Sequence, residues 1–213
     1  MSAPPAPSPA ASPPAGLSRV AILISGAGSN MVRLVQMLQA SGSPGEAVCV
    51  VSDDPGAAGL GRAQALGVPT AVAEGQAHRG DRASFDAALA RVLAPHAPDL
   101  LCLAGFMRIL GADFVAAWQG RILNIHPSLL PAFRGLDTHA RALAAGVGTH
   151  GCTVHVVTPA LDDGPVLGQA RVPVHPGDTP ATLAARVQAE EHALYPEVLR
   201  RVLAGGALPV MRG

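Results

Sequence analysis

The 213-residue chain has no lysine; all 15 of its basic residues are arginine. This excludes Schiff-base lysine chemistry and the lysine of a Walker-A phosphate loop. Charged residues are scarce, at 14%, against 49% hydrophobic, so the chain is globular rather than a solvated coil. Its 15 basic and 15 acidic residues balance, and the basic excess of a nucleic-acid-binding protein is missing. No apolar run approaches the ~20 residues of a bilayer span. Cys49, Cys102 and Cys152 form no C-x-x-C pair, and the first two sit inside apolar runs. They read as small buried hydrophobes in a reducing compartment. No H-x-E, H-E-x-x-H or carboxylate cluster supports a metal, and no G-x-S-x-G or activated cysteine supplies a nucleophile. A basic n-region and apolar h-region of a signal peptide are also missing, so the expected location is cytoplasmic.

What is present fits one domain, since ~100–200 residues is the usual unit. Residues 1–18 carry six prolines and almost no large apolar side chain, and read as a disordered Pro/Ala-rich arm. The fold is expected over 19–204, with 205–213 as a tail. Continuous apolar runs at 19–25, 47–52 and 99–105, with a shorter one at 68–73, suit strands buried on both faces of a parallel sheet. Helical patterns at 31–40, 56–66 and 82–95 alternate with them. After the short strand 122–125, two prolines in His126-Pro127-Ser128-Leu129-Leu130-Pro131 forbid a regular helix. A helix follows at 137–145. The strand 152–158 turns through Leu161-Asp162-Asp163-Gly164-Pro165 into a possible hairpin partner at 166–174. A long helix then runs to about Ala204, with Asp178 as its expected N-cap. The fold class is α/β: a doubly wound, mainly parallel sheet extended by a mixed C-terminal part.

Two patterns carry chemistry. Strand, then Gly26-Ala27-Gly28-Ser29-Asn30, then helix is an arrangement that binds phosphate: glycines let the backbone approach an anion and the helix start aims N–H groups at it. The same residues also suit a plain βα turn with Ser29 or Asn30 as cap. Met31 stands where the third glycine of a dinucleotide fingerprint belongs, which argues against a nicotinamide cofactor even though Asp53 ends the second strand. The second pattern is Asn124-x-His126 leaving a strand, with Asp162 in a later turn. Converging at strand ends, an amide, an imidazole and a carboxylate suit acyl-type transfer through a tetrahedral oxyanion. Asn124 and His126 would hold the oxyanion, and Asp162 would favour the imidazolium. The bland alternative is a turn histidine and an ordinary turn acid. His78, His96 and His175 read as exposed, His150 as a turn residue, and His155 as a packed or solvated strand position.

The segments ISGAGSN (24–30), LAGFMRIL (103–110), ILNIHPSLLPAFRGLDTHARAL (122–143), HGCTVHVVTPALDDGPVLGQARVPV (150–174) and QAEEHALYP (188–196) together resemble the glycinamide ribonucleotide formyltransferases of purine synthesis. The resemblance spans residues 19 to about 200 in the right order. It implies a Rossmann-like fold of the formyltransferase type, with a nucleotide-binding part over 19–120 and a catalytic and folate part over 121–204. It implies that Gly28, Ser29 and Asn30 bind the substrate 5′-phosphate, and that Gln188, Ala189, Glu190 and Glu191 contact glycinamide or ribose. Folate would be held by Arg82, by Met107, Arg108, Ile109 and Leu110, by Asn124, and by Thr158, Pro159, Ala160, Leu161 and Asp162. Asn124, His126 and Asp162 match the catalytic trio, with His126 as proton donor. The co-substrate implied is 10-formyltetrahydrofolate, with no metal and no tightly bound cofactor. Partners are small molecules, with no nucleic acid and no membrane, and the chain is expected to be a monomer or weak homodimer.

Two positions depart from relatives. Asp137 stands where some carry histidine, and is read here as a helix cap. Asp163 stands where some carry glycine, beside Asp162. Three rivals remain open. A formyltetrahydrofolate deformylase uses the same trio with water as nucleophile, but tends to read His-His-Ser where this chain has His-Pro-Ser. A methionyl-tRNA formyltransferase needs a basic surface and a C-terminal extension. The third is a catalytically silent folate- or nucleotide-binding module.

Overall fold

The computed structural model describes residues 18–206 and 210–212. Apart from Ser18, the expected 1–18 arm lies outside the described residues. One eight-stranded sheet runs in the order β3-β2-β1-β4-β5-β6-β7-β8. Its strands are β1 (Ser18–Ile24), β2 (Gly45–Ser52), β3 (Thr70–Val72), β4 (Leu100–Leu103), β5 (Ile122–His126), β6 (Thr149–Val156), β7 (Val166–Pro173) and β8 (Val210–Arg212). Strands β3 to β5 in that order are mutually parallel, and β6 then runs antiparallel to β5 and β7 antiparallel to β6. This is the doubly wound sheet with a mixed C-terminal part.

The helices are α1 (Ser29–Leu38), α2 (Ala58–Ala65), α3 (Arg82–Leu93), α4 (Ala112–Ala117), α5 (Thr138–Ala144) and α6 (Pro180–Leu203). Strand alternation splits the core into two layers. Val20, Ile22 and Ile24 of β1 pack with Met31 and Leu34 of α1 and with Leu194 and Val198 of α6. Ala21 and Leu23 face the other way, onto Phe85 and Leu89 of α3 and Phe114 of α4. Both faces of β1 are therefore sealed, which is why its sequence shows no polar alternation. Each fully buried aliphatic side chain contributes about 1.5–3 kcal/mol.

Three details differ from the sequence reading. The cap of α6 is Thr179, whose side chain accepts from the Thr182 amide in a reciprocal capping box. Asp178 sits one residue earlier and pairs with Arg186 at 2.7 Å. Asp137 occupies the cap position of α5 with φ 56°, but its side chain makes no capping hydrogen bond. The segment read as a C-terminal tail supplies β8, which pairs in parallel with β7 through Gly168↔Val210 to Ala170↔Arg212. No described helix is long and apolar enough to cross a membrane.

Candidate active site

The chain leaves β1, winds outward through β2 and β3, then returns to β4 on the other side of β1. The reversal opens a crevice at the carboxyl ends of β1 and β4, the position where such sheets bind ligands. Gly28 follows β1 with φ 70°, a left-handed conformation that glycine adopts without strain. It starts α1, whose first turn closes with the Val32 N–H donating to the Gly28 carbonyl at 3.0 Å. The amides of Ser29, Asn30 and Met31 precede that bond and have no intrahelical acceptor. No side chain caps this helix start, so the cap reading of Ser29 or Asn30 is set aside. Both side chains turn to α6 instead. Asn30 donates from Nδ2 to Glu191 Oε2 at 2.8 Å, and Gln188 Nε2 donates to Ser29 Oγ at 3.2 Å. The Asn30 Oδ1 is buried without a hydrogen-bond partner. Burial raises the pKa of the Glu191 carboxyl, and the Asn30 bond opposes that shift. Ala189 is exposed, and Glu190 faces Arg212 of β8 at 3.5 Å rather than the glycine turn.

The segment after β4 is tied to this turn. Ser25 N–H donates to the Gly105 carbonyl at 3.1 Å, and Met107 N–H donates to Ser25 Oγ at 2.8 Å. Met107 and Ile109 are exposed, at 69% and 55%, whereas Leu110 is buried. Arg108 lies over the Phe85 ring at 4.4 Å, with Asp53 at 3.9 Å. Met107, Arg108, Ile109 and Phe85 line a cleft of about 320 Å³ together with His78, Gly80 and Arg82. The exposed Met107 and Ile109 beside Arg82 and Arg108 give this cleft an apolar wall and positive charge.

Asn124 and His126 alternate on β5 and so share one face. The His126 Nδ1 lies 3.4 Å from Asp162 Oδ2, both side chains 8% exposed. Its Nε2 donates to the Phe133 carbonyl at 3.0 Å. Asp162 is held in the left-handed region, φ 48°, and its Oδ2 accepts from the Gly135 amide at 2.9 Å. The trio proposed from sequence therefore meets in space. Leu161 beside it is 54% exposed, and Thr158 donates to the Ala160 carbonyl at 3.2 Å, shaping the 158–162 turn. Asp163 pairs with Arg134 across the same gap.

His155, read as a packed or solvated strand position, lies against Asn124 and Asp162. Wholly buried on β6, it pairs in register with Asn124. Its Nδ1 donates to the Val156 carbonyl at 3.0 Å, leaving Nε2 to accept from Asn124 Nδ2 at 3.1 Å. Burial lowers the His155 pKa, against the Val156 carbonyl and the Asp162 carboxylate 3.7 Å away. A neutral His155 thus orients the Asn124 amide and leaves its second hydrogen for another acceptor. Strand alternation gave no sign of this, because Asn124 lies 31 residues away in sequence.

A family model for formyl transferases matches residues 18–199. The chain belongs to the formyl transferase family. This formyl transferase is 44% identical to the phosphoribosylglycinamide formyltransferase of Escherichia coli K12, over 84% of each chain. It is 46% identical to the trifunctional purine biosynthetic protein adenosine-3 of Gallus gallus, covering 88% of this chain but only 18% of that protein. Among solved structures, phosphoribosylglycinamide formyltransferase from Brucella melitensis superposes with a TM-score of 0.83 at 50% identity, covering 91% of this chain and 99% of that one. Glycinamide ribonucleotide transformylase 1 from Symbiobacterium toebii gives 0.85 at 45% identity over 89% of each. Among the described residues no cluster of histidine, cysteine, aspartate or glutamate could hold a metal ion.

Proposed function

We propose that this formyl transferase moves the formyl group of 10-formyltetrahydrofolate to the amine of glycinamide ribonucleotide. The products are formylglycinamide ribonucleotide and tetrahydrofolate, in de novo purine (IMP) biosynthesis in the cytoplasm. The observation that carries this reading is the shared crevice. A free helix start with Ser29, Asn30 and Glu191 lies on one side, the Asn124–His126–Asp162 trio at the end of β5, and the Met107–Leu110 segment between them.

In this reading the amides of Ser29 and Asn30 hold the 5′-phosphate, with Gly28 allowing its approach. Gln188 and Glu191 face the ribose or glycinamide. Arg82, Arg108 and the exposed Met107 and Ile109 hold the folate, and the 158–162 turn closes on the pterin. The amine nitrogen attacks the formyl carbon, and the carbonyl electrons move onto oxygen. The free hydrogen of Asn124 and the positive charge of a protonated His126, its two N–H groups held by the Phe133 carbonyl and Asp162, stabilise that oxyanion, and loss of one such donor costs ~10²–10³ in rate. Asp162 holds the imidazole and accepts the proton leaving the amine, directly or through a water. The oxyanion collapses, the bond to N10 breaks, and the proton taken up by Asp162 passes to N10, directly or through a water, as tetrahydrofolate departs. Nothing in these steps calls for a metal or a resident cofactor. Holding both substrates in one crevice is worth up to ~7–11 kcal/mol.

A deformylase uses water and has no second substrate to cradle, so the Asn30–Glu191 arrangement favours the transferase. The test is tetrahydrofolate production from 10-formyltetrahydrofolate by the purified protein, with and without glycinamide ribonucleotide. Production that requires the ribonucleotide is expected. Production without it, with release of formate, rejects the transferase in favour of the hydrolase.

A further inference from the structure

His126, Thr153 and Gln169 form one row across three strands, with His126↔Thr153 and Thr153↔Gln169 as register partners. All three are buried, at 6%, 0% and 9% exposure. Register partners in antiparallel strands project from the same face, here the one covered by the loop that follows His126. That loop carries the two main-chain groups that hold the catalytic pair. The Phe133 carbonyl accepts from His126, and the Gly135 amide donates to Asp162. Leaving the sheet at two prolines, the loop has no strand partner of its own and takes its position from side chains.

Those side chains are Thr153 and Gln169. The Thr153 hydroxyl donates to the Ser128 carbonyl at 2.7 Å and accepts from the Leu130 amide at 3.0 Å. Gln169 Nε2 donates one hydrogen to the Leu130 carbonyl at 2.9 Å and the other to Thr153 Oγ1 at 3.0 Å. Within the loop, Ser128 Oγ donates to the Ala132 carbonyl at 2.6 Å. The Gln169 amide group thus has exactly two hydrogens and two acceptors to meet, and Thr153 Oγ1 takes two donors while giving its own proton. A buried network satisfied at every donor is rigid, and a half-satisfied one is worse than an apolar core.

We infer that Gln169 is a positioning residue for the transfer reaction: through Leu130 and Thr153 it fixes the loop whose Phe133 carbonyl and Gly135 amide set His126 and Asp162. It touches no substrate and acts through the loop. The inference rests on the functional reading above, and its test includes a readout that needs no substrate. The variants are Gln169→Glu, which keeps the shape but removes both hydrogens, and the pair Thr153→Val and Thr153→Ser. Each is measured for kcat, for KM of both substrates, for melting temperature, and for the ¹⁵N and Cε1–H resonances of His126.

With Gln169→Glu, kcat falls by about 10²-fold, the loss that a ~1 Å displacement of a catalytic group brings. The KM for the ribonucleotide stays close to that of the parent protein, because its phosphate is held at the start of α1, and the His126 resonances move. Thr153→Val reproduces the loss and Thr153→Ser restores most of the rate. The inference is overturned if Gln169→Glu folds with parental kcat and unshifted His126 resonances, or if activity falls only in step with the folded fraction. If Gln169→Glu does not fold, the threonine pair decides: equal losses from valine and serine reject the assignment. A parent protein that transfers no formyl group sinks the functional reading, while the His126 resonances still report on the loop.

Discussion

Asn124 and His155 face each other across β5 and β6, amide nitrogen to imidazole nitrogen, at 3.1 Å. The contact sets which way the Asn124 amide points. Truncating Asn124→Ala removes the proposed oxyanion donor and is expected to lower kcat by ~10²–10³. His155→Phe keeps the ring but takes away the acceptor, so the amide is free to flip and kcat falls by a smaller factor with KM unchanged. Steady-state kinetics on both variants checks the order. A His155→Phe enzyme with full kcat shows that the amide needs no partner.

Glu191 is buried beside Asn30, and its carboxyl pKa is raised by desolvation. An unfolded chain releases this proton at the ordinary glutamate pKa, whereas the folded chain holds it longer. Stability therefore falls as pH rises through the window between the two values, and the deficit persists above it. Glu191→Gln removes the deficit while keeping an acceptor for Asn30. The variant is expected to be more stable than the parent at pH 8 and to bind the ribonucleotide more weakly. Urea denaturation at pH 5 and pH 8 decides it; an identical pH dependence in the two proteins contradicts the burial account.

The His150 ring is 1% exposed, and burial ahead of the neighbouring His139 lowers its pKa to about 4, against a hydrogen bond to the Pro127 backbone. Between about 4 and the ordinary histidine range near 6.5 the unfolded chain binds a proton here and the folded chain does not. Acidification through that window thus favours unfolding, by up to ~1.4 kcal/mol per pH unit for one site. His150→Phe should flatten this slope in denaturation curves taken from pH 7 to pH 4.5. An unchanged slope assigns the acid sensitivity to other groups.

Tyr195 is wholly buried, and its hydroxyl donates toward the Leu103 and Leu123 carbonyls at 3.2 and 3.1 Å. Those carbonyls belong to adjacent strands β4 and β5. Tyr195→Phe leaves them short of a donor and costs about 1–3 kcal/mol. A lower urea midpoint with an unchanged m-value is the expected signature.

The strands were legible where burial on both faces forces a continuous apolar run, as in Val20–Ile24 and Leu100–Leu103. The spacing of Asn124, His126 and Asp162 left a plain turn histidine and turn acid equally open, and the resemblance to the formyltransferases chose the proposed trio. Missed features depend on distant chain. The six-residue α4 is too short for a helical period to show, and three-residue β8 exists because Gly168–Ala170 offer it an edge some 40 residues earlier. Asp178 was named as the cap because aspartate favours that place, but Arg186, about two turns into α6, draws its carboxylate away. Arg108 gives no sequence sign that it stacks on Phe85, since the ring arrives from α3.

Glu191 and Tyr195 stand one turn apart on α6, neighbours at i and i+4. One reaches the start of α1, and the other bridges the last residue of β4 and Leu123 of β5. On the proposed reading, one turn of α6 thus sets the spacing between the phosphate and the reacting amine. That turn would work as a gauge: a substrate whose reactive nitrogen lies a bond or two nearer to its phosphate, or farther from it, would miss the trio. Discrimination by length would then come from the scaffold, before any side chain reads the substrate's atoms.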